Sequence, residues 1–205
     1  MGRPQRNQHI RGELLDAGMH LLSEQGYHGT GLKEILDRVQ APKGSFYHYF
    51  DSKEAFTAEI IGNYTDTLLM HMDQYLADSH QTPRETIRGL YRLMINEFER
   101  RGCIRGCLLG NLAAEIGASS QRCQQALQQG YRDWQRRFVP LVEKGQSAGE
   151  FRSDIAPMTL ADLFWNHWEG GILRMKLEGH AQGLRQSLDC LLDSLMAPPE
   201  PPPEI

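Results

Sequence analysis

Apolar residues recur at helical spacing along almost the whole chain, and nowhere do several alternating apolar and polar runs stand between turn formers as a sheet would require. That pattern restricts the 205 residues to an all-α architecture. A first helix is expected from about Gln8 to Gln25, with Ile10, Leu14, Ala17, Leu21 and Leu22 on one stripe and Gly26 as its stop. A short helix at about Leu32 to Val39 leads through a turn to another, Pro42 to about Phe50, where Pro42 occupies a first-turn position that does not need its N–H. Asp51 and Ser52 are placed to cap a fourth helix that reaches about Asp78. Further helices are expected from Pro83 to about 100, then at about 105–117, 120–147, 157–178 and 181–196, with breaks at Gly102, Gly149 and Pro157. This divides the chain into an N-terminal unit (1–58), a larger helical region (59–196) and a proline-rich tail (197–205) that is expected to be disordered.

The charge balance, 22 basic against 26 acidic residues, excludes a protein that is basic all over, but not one that gathers its basic groups on one surface. Arg3, Arg6 and Arg11 precede the first acid, Glu13, so residues 1–11 carry +3 and form an arm suited to a nucleic-acid backbone or minor groove. No apolar stretch approaches the roughly 20 residues of a membrane span, and the N-terminus lacks a signal-peptide run, so a cytosolic protein with no membrane partner is expected. Cys103, Cys107, Cys123 and Cys190 are too few and too unevenly spaced for a disulfide framework and read as reduced thiols. Walker, glycine-fingerprint and HExxH motifs are absent, so neither an enzyme nor a cofactor is expected. Cys103 and Cys107 could pair on a metal at i, i+4, but Gly102 and Gly106 break the helix and no third ligand is evident, so no metal is expected.

The densest chemistry lies in residues 26–56, GYHGTGLKEILDRVQAPKGSFYHYFDSKEAF. Phe46 and Phe50 share one face of their helix and point inward, which turns Gly44, Ser45, Tyr47 and His48 outward. Gly44 and Ser45 allow a helix backbone close to a groove, and Lys43 can reach a base edge or a phosphate. Tyr47, His48 and Tyr49 offer donors to phosphate oxygens. Lys53 combines an ammonium with the free N–H groups of a helix start, and Thr30 can act likewise at the second helix. The block resembles the TetR family of transcriptional repressors, whose hallmark is a helix-turn-helix ending in Tyr-x-Tyr-Phe followed by a capped Lys. The resemblance implies a DNA-binding domain whose later helix enters the major groove, a helical regulatory domain, and a homodimer that leaves a palindromic operator when an effector acts. Two positions depart from the family pattern. Gln40 stands at a turn position that is usually Gly, at some cost in backbone strain, and Gly31 replaces a second Thr.

The family's dimers pair their last two long helices. Leu160, Leu163, Phe164 and Trp168, then Leu184, Leu188, Leu191, Leu192 and Leu195, supply stripes for such a four-helix interface or for the protomer's own core. The segment GCLLGNLAAE, within residues 100–117, resembles a subgroup that includes sensors of electrophiles and oxidants and places Cys107 at the start of a helix. There the helix dipole and Arg100, Arg101 and Arg105 favour a thiolate, while the alternative is a buried small hydrophobe. A second sensing mode is capture of an apolar or aromatic molecule by Tyr131, Trp134 and Trp168, residues that serve equally as core. Lys176 is the candidate cationic neighbour on the penultimate helix.

Overall fold

The computed structural model describes residues 3–42 and 44–199, except for the side chains of residues 3–7. Helix α1 (Arg3–Gly29) is interrupted at Gly26, whose φ of 72° is left-handed and open to glycine at little cost. There follow α2 (Leu32–Arg38), α3 (Phe46–Tyr49), α4 (Lys53–Asp78), α5 (Pro83–Arg100), α6 (Leu108–Ile116), α7 (Gln121–Ser147), α8 (Pro157–Glu178) and α9 (Gln182–Cys190), which continues into a π-helical turn (Leu191–Leu195). The fold is all-α, and no strand occurs among the described residues. Local chemistry explains several starts: the Ser52 hydroxyl accepts the Ala55 N–H at 3.1 Å to cap α4, and Thr82 caps α5 ahead of Pro83. Helix α7 runs through Pro140, a position that costs a helix interior about 3 kcal/mol.

The third helix differs from its expected span. Pro42 precedes it rather than opening it, because the Pro42 carbonyl accepts both the N–H (2.9 Å) and the hydroxyl (2.7 Å) of Ser45, closing a turn that delays the helix to Phe46. Of the expected tail, residues 200–205 lie outside the described residues, and residues 197–199 are not helical.

Compactness divides the chain differently from the expected boundary near residue 58. One unit comprises Met1–Leu68 with Cys107–Tyr131, and the other Leu69–Gly106 with Arg132–Ile205. In the first unit α6 and α2 pack on α1. Its core includes Leu14, Leu22, Ile35, Ile60 and an aromatic knot in which Phe50 lies 5.3 Å from Phe46 and 4.7 Å from Phe56. Burying each of these rings contributes about 1.5–3 kcal/mol.

In the second unit α9 packs on both α8 and α5. The stripes expected at a dimer interface mostly face each other here: Leu160, Phe164, Trp168, Leu184, Leu188, Leu191 and Leu192 are buried within the protomer. Only Leu163 and Leu195 of that set remain exposed. A different stripe is open on α8, with Leu163 at 49%, Leu173 at 62% and Leu177 at 88% exposure, and Gly170 between them at the same heptad spacing. The buried Arg88 guanidinium bonds Asp189 and Asp193 at 2.5 Å each, fastening α5 to the last helix and its π-helical turn.

Candidate nucleic-acid interface and sensing elements

The outward face of α3 follows from what holds its inward face. Phe46 is fully buried, so its neighbours are turned away from the core: Tyr47 is 66% exposed and His48 is exposed beside it. A Cβ added at Gly44 would meet nothing within 4 Å, so packing does not demand glycine there and the backbone is open to approach from outside. Ser45 spends its proton on the Pro42 carbonyl and retains acceptor capacity. Tyr49 is half-buried, its ring edge 5.0 Å from the His48 ring. In the turn before this segment, Gln40 adopts φ 54°, the left-handed conformation that its departure from glycine led us to expect as strained.

Several expected contact residues are used internally. Thr30 has its side chain buried, and its hydroxyl donates to the Gly26 carbonyl at 2.7 Å rather than facing outward. Arg11 is likewise no free arm residue: it pairs with Glu59 at 2.6 Å and lies 5.0 Å from the Phe50 ring centre. Lys53 donates to the Tyr27 carbonyl at 2.5 Å and sits 4.1 Å over the Tyr27 ring, so it fastens the start of α4 to the end of α1. Burial lowers the Lys53 pKa and the nearby Glu115 carboxylate counters the effect, while burial raises the Tyr27 phenol. Lys43 and the side chains of Arg3 and Arg6 lie outside the described residues.

Sequence reasoning missed Glu115. Its carboxylate accepts the His28 N–H at 3.1 Å, tying the far end of α6 to the last turn of α1. Glu115 stands within the GNLAAE block and was legible there as an acid, but its partner is a backbone group 87 residues away in sequence, which no local pattern encodes.

Cys107 occupies the N-cap of α6 with extended backbone (φ −68°, ψ 124°) and is 6% exposed. Of the arginines expected to favour its thiolate, Arg100 and Arg101 both pair with Glu97, within their own helix end. Cys103 is buried at φ 58°, and burial first and then Glu99 push its thiol up against the pull of Arg185. Of the aromatics that serve equally as pocket or core, Trp134 and Trp168 are buried among other rings. Trp134 donates its Nε1–H to the Tyr91 hydroxyl at 2.9 Å and stacks on Phe138 at 4.6 Å, while Trp168 meets the Tyr91 ring edge-on at 4.6 Å. Rings in mutual contact with their polar handle satisfied are core. Tyr131 is half-buried and belongs to the first unit, and Lys176 is exposed on α8. Among the described residues no group of three or more His, Cys, Asp or Glu side chains is placed to hold a metal, and no helix is long and apolar enough to cross a membrane.

Residues 14–60 match the family model described as bacterial regulatory proteins, tetR family, and residues 83–191 match the tetracyclin repressor-like C-terminal domain. The chain belongs to the TetR family. Among similar TetR-type proteins, the HTH-type transcriptional repressor DhaR of Mycobacterium sp. is 30% identical over 187 residues, covering 91% of this chain and 92% of its own. The transcriptional regulator AcuR of Cereibacter sphaeroides is 41% identical over 165 residues, covering 80% and 75%. The crystal structure of the reduced form of NemR from Escherichia coli superposes with a TM-score of 0.83 at 29% identity, covering 94% of this chain and 99% of that one. This TetR-family chain is therefore a transcriptional regulator of the repressor type and not an enzyme.

Proposed function

We propose that the protein represses transcription as a homodimer on a palindromic operator, contacts DNA through the outward face of α3, and is released by chemical modification of Cys107 by electrophiles or oxidants. The observation that carries the DNA contact is the pairing of a fully buried Phe46 with a two-thirds exposed Tyr47, which presents a phenol and an imidazole on a rigid support. Tyr47, His48, Tyr49, Gly44 and Ser45 form this surface, and Lys43 adjoins it in the sequence. Lys53 acts by positioning, since its ammonium holds the corner beneath the helix. A two-fold dimer built on the open Leu163, Leu173 and Leu177 stripe of α8 would cover leucines that have no apolar reason to face water. Its work on the chromosome places the protein in the cytoplasm.

The sensing reading rests on Cys107 standing at the first turn of α6, where the free N–H groups favour a thiolate, and on Glu115 at the other end of that helix holding the segment that leads into α2. Similarity to a repressor whose structure is distinguished as a reduced form supports a redox-linked response. Operator binding followed by fluorescence anisotropy, on duplexes that include the promoter of its own gene, tests both parts. Selective binding that weakens steeply with salt is expected. Treatment with N-ethylmaleimide is expected to release the wild type and leave Cys107→Ser bound. Equal release of both proteins would reject Cys107 as the sensor, and absence of selective binding would reject the repressor reading itself.

A further inference from the structure

The second compact unit contains a cleft of about 300 Å³ between the end of α4, the start of α5 and one face of α7. That volume is at the lower end of the roughly 300–1,000 Å³ of small-molecule sites, enough for a short-chain or single-ring ligand. Its lining is polarised. Helix α7 contributes Arg136, Arg137 and Lys144, and no carboxylate lines the cleft among the described residues. Opposite them stand the hydroxyls of Ser79 and Thr86, 2.8 Å apart and hydrogen-bonded to each other, and Leu141 supplies apolar wall.

The three cations are not equivalent. Arg137 holds the Asp73 carboxylate through Nε at 2.8 and 2.9 Å, and Arg136 holds Asp133 at 2.5 Å, so both guanidinium groups are oriented by acids that lie outside the lining. Lys144 makes no such ion pair among the described residues. A flexible ammonium at the mouth of a part-apolar cleft, flanked by two arginines and facing two hydroxyls, is complementary to a compact anion whose remainder is apolar. A neutral aromatic would leave the ammonium without a counter-charge, and a cation would be repelled by it.

We propose that this cleft binds a small organic monoanion, a carboxylate on a short apolar or single-ring body, with Lys144 as its principal charge partner. Arg136 and Arg137, each already paired with an acid, offer hydrogen-bond donors rather than net charge, and the Ser79–Thr86 hydroxyl pair can turn one proton toward a carboxylate oxygen. None of the lining residues belongs to the unit that contains Cys107, so the site stands whether or not that thiol reacts.

Isothermal titration of the full chain with benzoate and with its neutral isostere benzamide tests this. Benzoate is expected to bind, with benzamide roughly tenfold weaker because it lacks the charge-assisted bond. Lys144→Gln should weaken benzoate roughly tenfold, Lys144→Arg should retain it, and added salt should weaken it. Lys144 is exposed, so both variants should melt like the wild type, which separates loss of ligand from loss of fold. Leu141→Trp, which fills the cleft, should abolish binding, and Cys107→Ser should bind benzoate as the wild type does. The proposal is overturned by an absence of binding at millimolar benzoate, by equal binding of benzoate and benzamide, or by a Lys144→Gln protein that binds as the wild type. These outcomes do not depend on any operator measurement.

Discussion

Two aromatic segments of this molecule have opposite fates. In α3 the run Phe46-Tyr47-His48-Tyr49 buries its first ring completely and leaves the second largely in water. In the second unit Tyr91, Trp134, Phe138, Phe164 and Trp168 come from three helices, all buried, ring against ring, with the Trp134 N–H and the Tyr91 hydroxyl bonded to each other. The difference is one of spacing. A continuous aromatic run on a helix must place some rings outside, because neighbours about 100° apart cannot share a face, whereas rings spaced three, four or seven residues apart can all turn inward. The exposed rings of α3 are a consequence of having more aromatic side chains than its buried face can hold.

The comparison breaks first under truncation. Trp168→Ala should lower stability by about 3–5 kcal/mol, a large downward shift in melting temperature by calorimetry, because it opens a hole in a packed cluster. Tyr47→Ala should change stability by no more than about 0.5 kcal/mol while costing roughly tenfold in operator affinity. If the two variants melted alike, the exposed and buried assignments would be wrong. A smaller effect belongs to the turn ahead of α3: Gln40→Gly should raise stability by roughly 0.5–1 kcal/mol, measured in urea, by relieving the left-handed backbone. The smallest effect belongs to a histidine of α8. His167 on α8 has a buried Nε2 with no hydrogen-bond partner among the described residues, and burial lowers its pKa from the ordinary 6.5. Below that pH the unfolded chain binds the extra proton first, so stability should fall as pH drops from 6.5 toward the folded value, with a slope below the ceiling of about 1.4 kcal/mol per pH unit. His167→Gln should flatten that slope.

The all-α architecture and the inward placement of Phe46 and Phe50 were legible because period alone decides them. The left-handed turn at Gln40 was legible as well, since one unusual residue stood where the backbone asks for glycine. What stayed hidden has a common cause. Thr30, Arg11 and Lys53 carry the chemistry of phosphate contacts, yet each meets an internal partner that distance along the chain conceals: a carbonyl at the break of α1, Glu59 on α4, and the Tyr27 carbonyl. The leucines of α8 and α9 look alike in a periodic reading whether they close a protomer or join two, and only the packing of α8 on α9 separates the buried set from Leu173 and Leu177. Cys107 was legible by its place at a helix start, and its burial is that of the small hydrophobe which the sequence offered as the alternative.

Glu115 has a consequence for how such a regulator can diversify. Cys107 caps the start of α6 and Glu115 stands near its end, so about 12 Å of helix rise separates that thiol from the residue that grips the His28 N–H. Substitutions around its first turn can accumulate without disturbing that grip. Gly26 is held to glycine by its left-handed φ of 72°, and a side chain there would also push against the Glu115 carboxylate. Under the proposed sensing role of Cys107, novelty in the stimulus and constancy in the output fall at opposite ends of one short helix, and a lineage can explore the first without forfeiting the second.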